Sequence, residues 1–257
     1  MRRFTLLLSA FALAAATAAV VATAGPAKVT SFKFCSDPTF PPLESKTTSG
    51  KAVGFDIDMA SAIAKSWGGK ATFVQTAFTG LLPALSAHKC DVVISGLFIT
   101  PDRTKQFPAV AYMRTHRALV VQGGNPKHIA SPNDLKGKHV AVQAGTKYEE
   151  YLKGLKAKLG FSLQSYPGDT DAVAQLLLGR ADAVLTQDTS GAYQIKQHPG
   201  KVAIAYLFPA SDAFGIYYRK SDSALGAQLK AAIATLKQGG TLGKLAARYS
   251  IPPSDVK

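Results

Sequence analysis

The stretch Ala111–Gln122, "AYMRTHRALVVQ", decides how the rest of the chain is read. It is extended in character and shows no helical period. On each side of it, strand and helix signals alternate. Before it, "TSFKFCS" reads as a strand. Gly54-Phe55-Asp56-Ile57-Asp58 then opens a helix on which Met59, Ile63 and Trp67 recur at i, i+4 and i+8, and Gly68-Gly69 ends it. "ATFVQ" is a strand. Thr79 is expected to cap a helix through Leu81, Leu82 and Leu85, with Pro83 in the first turn, where a missing N–H is tolerated. "DVVIS" is the next strand.

After the stretch the pattern repeats. "KHVAVQ" is a strand, followed by a helix from Lys147 to Lys158. "FSLQSY" is a strand, followed by a helix from Asp169-Thr170 that Gly179 stops. "ADAVLT" is a strand, followed by a helix from Ser190 to Gln197, and "KVAIAYLF" is a strand. "DAFGIYYRK" is extended again, and two helices close the chain, Ser223–Leu236 and Leu242–Tyr249. The expected fold is α/β: two doubly wound lobes joined by two extended hinge strands, with a ligand cleft between them. Lobe 1 is expected to be discontinuous, residues 25–113 and 214–257, and lobe 2 to span 114–213.

Residues 1–24 read as a signal peptide. Arg2 and Arg3 precede an apolar run from Leu6 to Val21, and Ala22-Thr23-Ala24 supplies small residues for cleavage. Cys35 follows Phe32-Lys33-Phe34, which is not a lipid-attachment motif. An exported, periplasmic protein without a lipid anchor is expected, with no later segment apolar enough to span a membrane. The formal charge is +14 over 257 residues, with 47% hydrophobic and 18% charged residues. The lysines are scattered rather than blocked, so the charge reads as a basic soluble surface and not as a nucleic-acid footprint. The two cysteines, Cys35 and Cys90, fall at opposite ends of neighbouring predicted strands. Two buried free thiols are therefore expected ahead of a bridge.

In open α/β sheets ligands bind at the carboxyl ends of strands. Those ends are Ser36-Asp37, Phe78 after the second strand, Ser95-Gly96, Gln143-Ala144-Gly145-Thr146 and Thr186-Gln187-Asp188. Thr100 suits an N-cap with Pro101 at N1, which puts Arg103 in the first turn of a short helix beside a strand end. Its fork suits a carboxylate. Gly145-Thr146 leads into a helix N-terminus whose N–H groups suit the same anion. Phe40 and Phe78 can wall a small ligand. Asp56 and Asp58 read as helix-start acids. Five scattered histidines show no metal-ligand spacing, and no nucleophile elbow or dinucleotide loop appears, so no catalytic residue, metal or cofactor is expected.

The segments "GFDIDMASAIAKSWG", "FTGLLPALSAHKCDVVISG", "ITPDR", "LKGKHVAVQAGT" and "GRADAVLTQD" together resemble the type II periplasmic solute-binding proteins of polar amino-acid ABC transporters, from Phe34 to Tyr249. The resemblance implies a binding protein, not an enzyme, that delivers a small carboxylate-bearing solute to an inner-membrane permease, and a monomer is expected. It assigns Arg103 to the ligand carboxylate, Thr146 and the Gly145 backbone to the same group, Phe40 and Phe78 to the walls, and Asp37 and the Gly96 carbonyl to polar contacts; Ser95 and Gln143 join them as ligand-binding candidates from the strand ends. Phe98 stands where the family has Ser or Thr, and Gln187 where it has an Asp that holds the ammonium; Asp188 comes one residue later. These departures point to a carboxylate ligand that lacks a conventional α-amino group or has it held differently. The runner-up function is an exported dehydratase of prephenate-like substrates on the same fold, for which Glu44 and Asp188 are the candidate acids.

Overall fold

A computed structural model describes residues 29–257, and the segment read as a signal peptide lies outside them. Strand β1 (Phe32–Ser36) is buried except for Lys33. The short strands β2 (Ser45–Lys46) and β3 (Ala52–Val53) pair with each other and lead into helix α1 (Phe55–Ser66), which buries Met59 and Ile63 as its spacing requires. Strand β4 (Ala71–Gln75) runs parallel to β1. Helix α2 (Leu81–Ser86) begins one residue later than a cap at Thr79 would have it, with Gly80 as its N-cap. Asp37 accepts the backbone N–H of Phe78, and Phe78–Gly80 form a 3₁₀ turn ahead of the helix, so Thr79 is spent inside that turn. Strand β5 (Val92–Val93) and helix α3 (Pro101–Thr104) complete the first unit.

Strand β6 (Ala109–Gln122) contains the opening stretch. It is followed by β7 (His139–Gln143), α4 (Lys147–Leu159), β8 (Ser162–Tyr166), α5 (Asp169–Leu177) and β9 (Ala183–Gln187). Helix α6 (Asp188–Gln197) starts two residues before the expected Ser190, because the Asp188 carboxylate accepts the Thr189 N–H at 2.8 Å. The two extended segments expected after it form a single strand, β10 (Val202–Tyr218), and α7 (Ser223–Gln238) and α8 (Thr241–Arg248) end the fold. Both of these helices pack on α1, which returns the chain's end to the first unit.

All the long strands lie in one sheet, in the order β4-β1-β5-β10-β6-β9-β7-β8. β6 and β10 pair antiparallel from Tyr217↔Ala109 to Val202↔Gln122. β5 joins this pair at Tyr217 and Tyr218, and β9 joins it at Arg117 to Val121. Between those points, from Tyr112 to His116, β6 has only β10 as a ladder partner. The molecule is thus two α/β halves joined by a two-stranded ribbon. The register of the ribbon shifts between Leu207 and Ser211 and between Phe214 and Gly215. Among the described residues no helix is long and apolar enough to cross a membrane.

The cysteines contradict the expectation of free thiols. Cys35 and Cys90 form a disulfide with a Cα–Cα distance of 5.7 Å. Phe34 is level with Val92, so a straight strand would set Cys90 beside Phe32, three residues or about 10 Å from Cys35. The chain does not run straight. β5 is only two residues long, and Cys90 belongs to the turn before it, with its carbonyl held by the Arg219 guanidinium at 2.6 Å. That bend carries Cys90 over β1. The bridge closes a loop of 55 residues. Replacing both cysteines by serine should cost about 4 kcal/mol of unfolding free energy in a urea titration; a loss below about 1 kcal/mol would show that the loop is already ordered in the unfolded chain.

Candidate functional site

The carboxyl ends of β1 and β5 are tied together by a buried polar network. The Asp37 N–H donates to Ser95 Oγ at 2.9 Å, and Ser95 Oγ–H donates to Glu44 Oε1 at 2.9 Å. The Gly96 N–H donates to Asp56 Oδ2 at 3.0 Å, and Tyr112 Oη–H donates to the same oxygen at 2.8 Å. Gly96 holds a φ of 49°, and a Cβ there would lie 2.9 Å from the Phe40 ring, so the strand end needs glycine to turn beneath that wall. Glu44 and Asp56 are both fully buried. Burial is the main cause that pushes Glu44 well above the usual carboxylate range, and it raises Asp56 to about 6. Each also has one oxygen without a hydrogen-bond partner. Two such oxygens are satisfied together when the pair keeps one proton between them.

Asp37 is the junction of the two halves. Its Oδ2 accepts the Phe78 N–H at 3.2 Å and, from the other half, Gln143 Nε2 at 2.8 Å. Burial raises it to about 6. Thr39 adds a second crossing, since its carbonyl accepts the Thr170 N–H at 3.1 Å. Arg103 sits where its capping pattern placed it, with Thr100 Oγ1 accepting its N–H. Its Nη1 donates to the Phe98 carbonyl at 3.0 Å. It lines a cavity of about 280 Å³ together with Phe78, Thr79 and, from the second half, Gly145. The arginine and the loop before α4 therefore do face one space, as the strand ends suggested.

Phe98 is the bulk between the halves. Its ring stacks on Phe214 at 4.9 Å and meets Tyr148 of the second half edge-on at 5.2 Å. The Arg117 guanidinium lies 5.8 Å from its centroid and is itself paired with Asp212. Phe40 is buried and approaches Phe214 at 6.5 Å. Phe98 thus meets Tyr148 between the halves with a ring at the position where the resemblance has a Ser or Thr hydroxyl.

At the α4 start three of the donors are already engaged. Thr146 Oγ1–H donates to the Gln143 carbonyl at 2.7 Å and the oxygen accepts the Glu149 N–H, while the Gly145 N–H donates to Glu149 Oε2 at 2.8 Å. Thr146 caps the helix through the Glu149 N–H, and the Glu149 carboxylate reaches back to the Gly145 N–H one residue before the cap, so the helix start carries its own anion. The motif Thr146-Lys147-Tyr148-Glu149 is the sequence signal for it. Gln187 ends β9 fully buried, with its Oε1 accepting from Thr115 Oγ1 at 3.1 Å and its Nε2 without a partner. Asp188 turns away to β6, where Thr115 Oγ1 lies at 2.8 Å and the His116 N–H at 3.2 Å. Asp188 does not move into the place of Gln187. Sequence reasoning also passed over Asp56, read as a helix-start acid. Its spacing from Met59 and Ile63 puts it on the buried stripe of α1, whereas Asp58 faces outward to Arg248 and Tyr249. Among the described residues no group of His, Cys, Asp or Glu is arranged to hold a metal ion.

This architecture defines a two-lobed binding protein. Residues 32–251 match the bacterial extracellular solute-binding proteins, family 3, and the chain belongs to that family. It is 33% identical over 261 residues to the histidine-binding periplasmic protein of Salmonella typhimurium, covering 97% of each chain. Among solved structures, it is 36% identical to an ancestral arginine-binding protein bound to arginine, with a TM-score of 0.81 over 86% of this chain and 98% of that one. It is 32% identical to an ancestral amino-acid-binding protein described as a precursor of cyclohexadienyl dehydratase, with a TM-score of 0.79 over 86% and 95% of the two chains.

The buried acids make stability depend on pH in a stated direction. Asp37, Asp56 and Asp169 are raised to about 6, and Glu44 is raised well above the usual carboxylate range, chiefly by burial. Between the unfolded carboxylate range near pH 4 and these raised values, the folded chain holds more protons than the unfolded one. Stability is therefore greatest on the acid side and falls as pH rises through about 6, by about 1.4 kcal/mol per pH unit for each group still protonated. Urea titrations from pH 4.5 to 8 should show that fall, and Glu44→Gln, which has no proton to surrender, should flatten it. An identical slope in the variant would rule out the shared proton.

Proposed function

We propose that this chain is the periplasmic capture component of an ABC importer, closing on a small solute that bears a carboxylate, an amino acid or an amino-acid-like compound, and handing it to an inner-membrane permease. The observation that carries the reading is the shared cavity: Arg103 from one half and Gly145 from the other line the same space at the strand ends. One Arg103 N–H is spent on the Phe98 carbonyl, which leaves the rest of a five-donor fork for a carboxylate. Names of the relatives, histidine- and arginine-binding proteins, support an amino-acid-like solute. We read residues 25–113 with 214–257 as one closing lobe and 114–213 as the other, bending at the ribbon around Tyr112–His116. Residues 1–24 are removed on export, no lipid anchors the mature chain, and it works as a monomer and as a carrier rather than a catalyst.

A thermal-shift screen of the twenty L-amino acids and their amine-free carboxylates identifies the solute, because a ligand at 100 times its Kd stabilises the fold by about 2.7 kcal/mol. Arg103→Ala should then weaken binding by about 3 kcal/mol, roughly a hundredfold, in calorimetry. Unchanged affinity would remove Arg103 from the site, and a solute consumed rather than recovered would make the protein an enzyme.

A further inference from the structure

The first residues of β6 form an open edge of the sheet. Ala109, Val110 and Ala111 have β10 on one side and, among the described residues, no strand on the other, because β9 joins β6 only from Arg117 to Val121. The bonds of β10 show which backbone groups look outward. The Tyr218 N–H donates to the Pro108 carbonyl at 3.1 Å, whereas the Gly215 N–H points away from β6 and donates to the Leu97 carbonyl at 3.0 Å. Residues of an antiparallel pair alternate between facing the partner and facing away. Val110 therefore faces β10, and the N–H and C=O groups of Ala109 and Ala111 face outward. Natural proteins blunt such edges with charge, proline or a covering element. Here the edge reads Ala-Val-Ala, and α7 does not close over it. The three residues and the α7 side chains of Ala227, Lys230 and Lys237 line one groove of about 630 Å³.

The rim of that groove is positive and lacks a counter-charge. Lys230 is exposed and Lys237 half-buried. Burial, and then the nearby Arg114 guanidinium, push the Lys237 ammonium below its usual range. Lys237 Nζ donates to a main-chain oxygen of Lys257 at 3.3 Å. Among the described residues no acidic side chain pairs with Lys230, Lys237 or Arg114. An anion arriving from outside relieves that crowding. The free main-chain groups select an extended peptide, and the cations select an acidic one.

We propose that this edge takes an extended acidic segment of another protein as an added strand, its main chain bonding Ala109 and Ala111 and its carboxylates meeting Lys230, Lys237 and Arg114. The groove shares no residue with the cavity that Arg103 lines, so a chain held here keeps its cleft open to solute. For the same reason the docking surface and the solute site stand or fall separately.

The probe is a short fluorescein-labelled peptide of alternating glutamate and threonine, titrated with the protein by fluorescence anisotropy at low salt. Its controls are peptides of alternating glutamate and proline, which has the charge without the N–H groups, and of alternating lysine and threonine. The glutamate–threonine peptide should bind saturably, and both controls at least about tenfold more weakly. Raising the salt from about 20 mM to about 500 mM should weaken it about tenfold. Lys230→Glu combined with Lys237→Glu should lose about tenfold as well. Ala111→Pro removes an outward N–H and no ladder bond, so it should melt close to wild type and lose about tenfold for the peptide. No saturable binding, equal binding of the glutamate–proline peptide, or full binding by folded Ala111→Pro would overturn the proposal. If Ala111→Pro does not fold, the glutamate–proline peptide still decides whether the edge is used. Sedimentation of the protein alone supplies the last outcome: a dimer that Ala111→Pro dissolves would give the edge to a second copy of this chain and overturn the acidic partner.

Discussion

Everything else in the molecule hangs on the antiparallel ladder between β6 and β10. These two strands are long enough to be edge partners for β5 at one end and for β9 at the other, so a single ribbon belongs to both halves. At its centre it is two strands wide, and a two-stranded ribbon bends more easily than a sheet braced on both sides. The register of β10 shifts on either side of that section, between Leu207 and Ser211 and between Phe214 and Gly215, the latter where Phe98 bridges to it. Irregular pairing there bends the strand and raises its twist. Because the ribbon fixes where each half begins, it also sets the carboxyl ends of β1 and β5 opposite those of β7 and β9.

Facing strand ends form a site only if they are stiff, and here the stiffness is polar. Ser95, Glu44, Asp56 and Tyr112 bind one another beneath Gly96, and Asp37 joins them through its backbone to Ser95. A buried network of this kind holds its members to one geometry when every atom is satisfied. The two carboxyl oxygens of Glu44 and Asp56 that lack a partner meet that condition when the pair holds one proton. Above this floor the walls are aromatic, with Phe98 pressed between Phe214 and Tyr148. The floor is rigid and charged, and the middle of the cleft is hydrocarbon, so orientation comes from the strand ends and shape from the rings.

Much of the fold was legible along the chain. The helical spacing of Met59, Ile63 and Trp67, the strand of "KHVAVQ" and the cap at Thr100 describe local geometry, and local geometry repeats with a period that sequence displays. The site was legible in part. Arg103 and Gly145 could be placed at strand ends and they do share a cavity. Whether a donor at such an end is free could be read only where a motif announced it, as Thr146 and Glu149 do. Asp56 and Asp58 are two acids two residues apart with opposite fates, and only the phase of α1 separates them.

By itself, then, the sequence determined the alternation of strands and helices, the extended crossing that splits them into two halves, and the residues standing at the strand ends. These follow from backbone propensity and from the periodic burial of side chains. Tertiary structure alone decided the Cys35–Cys90 bridge, which depends on a bend before β5 that carries no sequence marker. It decided the pairing of Glu44 with Asp56 and the turning of Asp188 to Thr115 and away from the cleft. Each of these joins residues distant in the chain through a contact set by where whole strands come to rest, and a contact of that kind leaves no period or spacing to read.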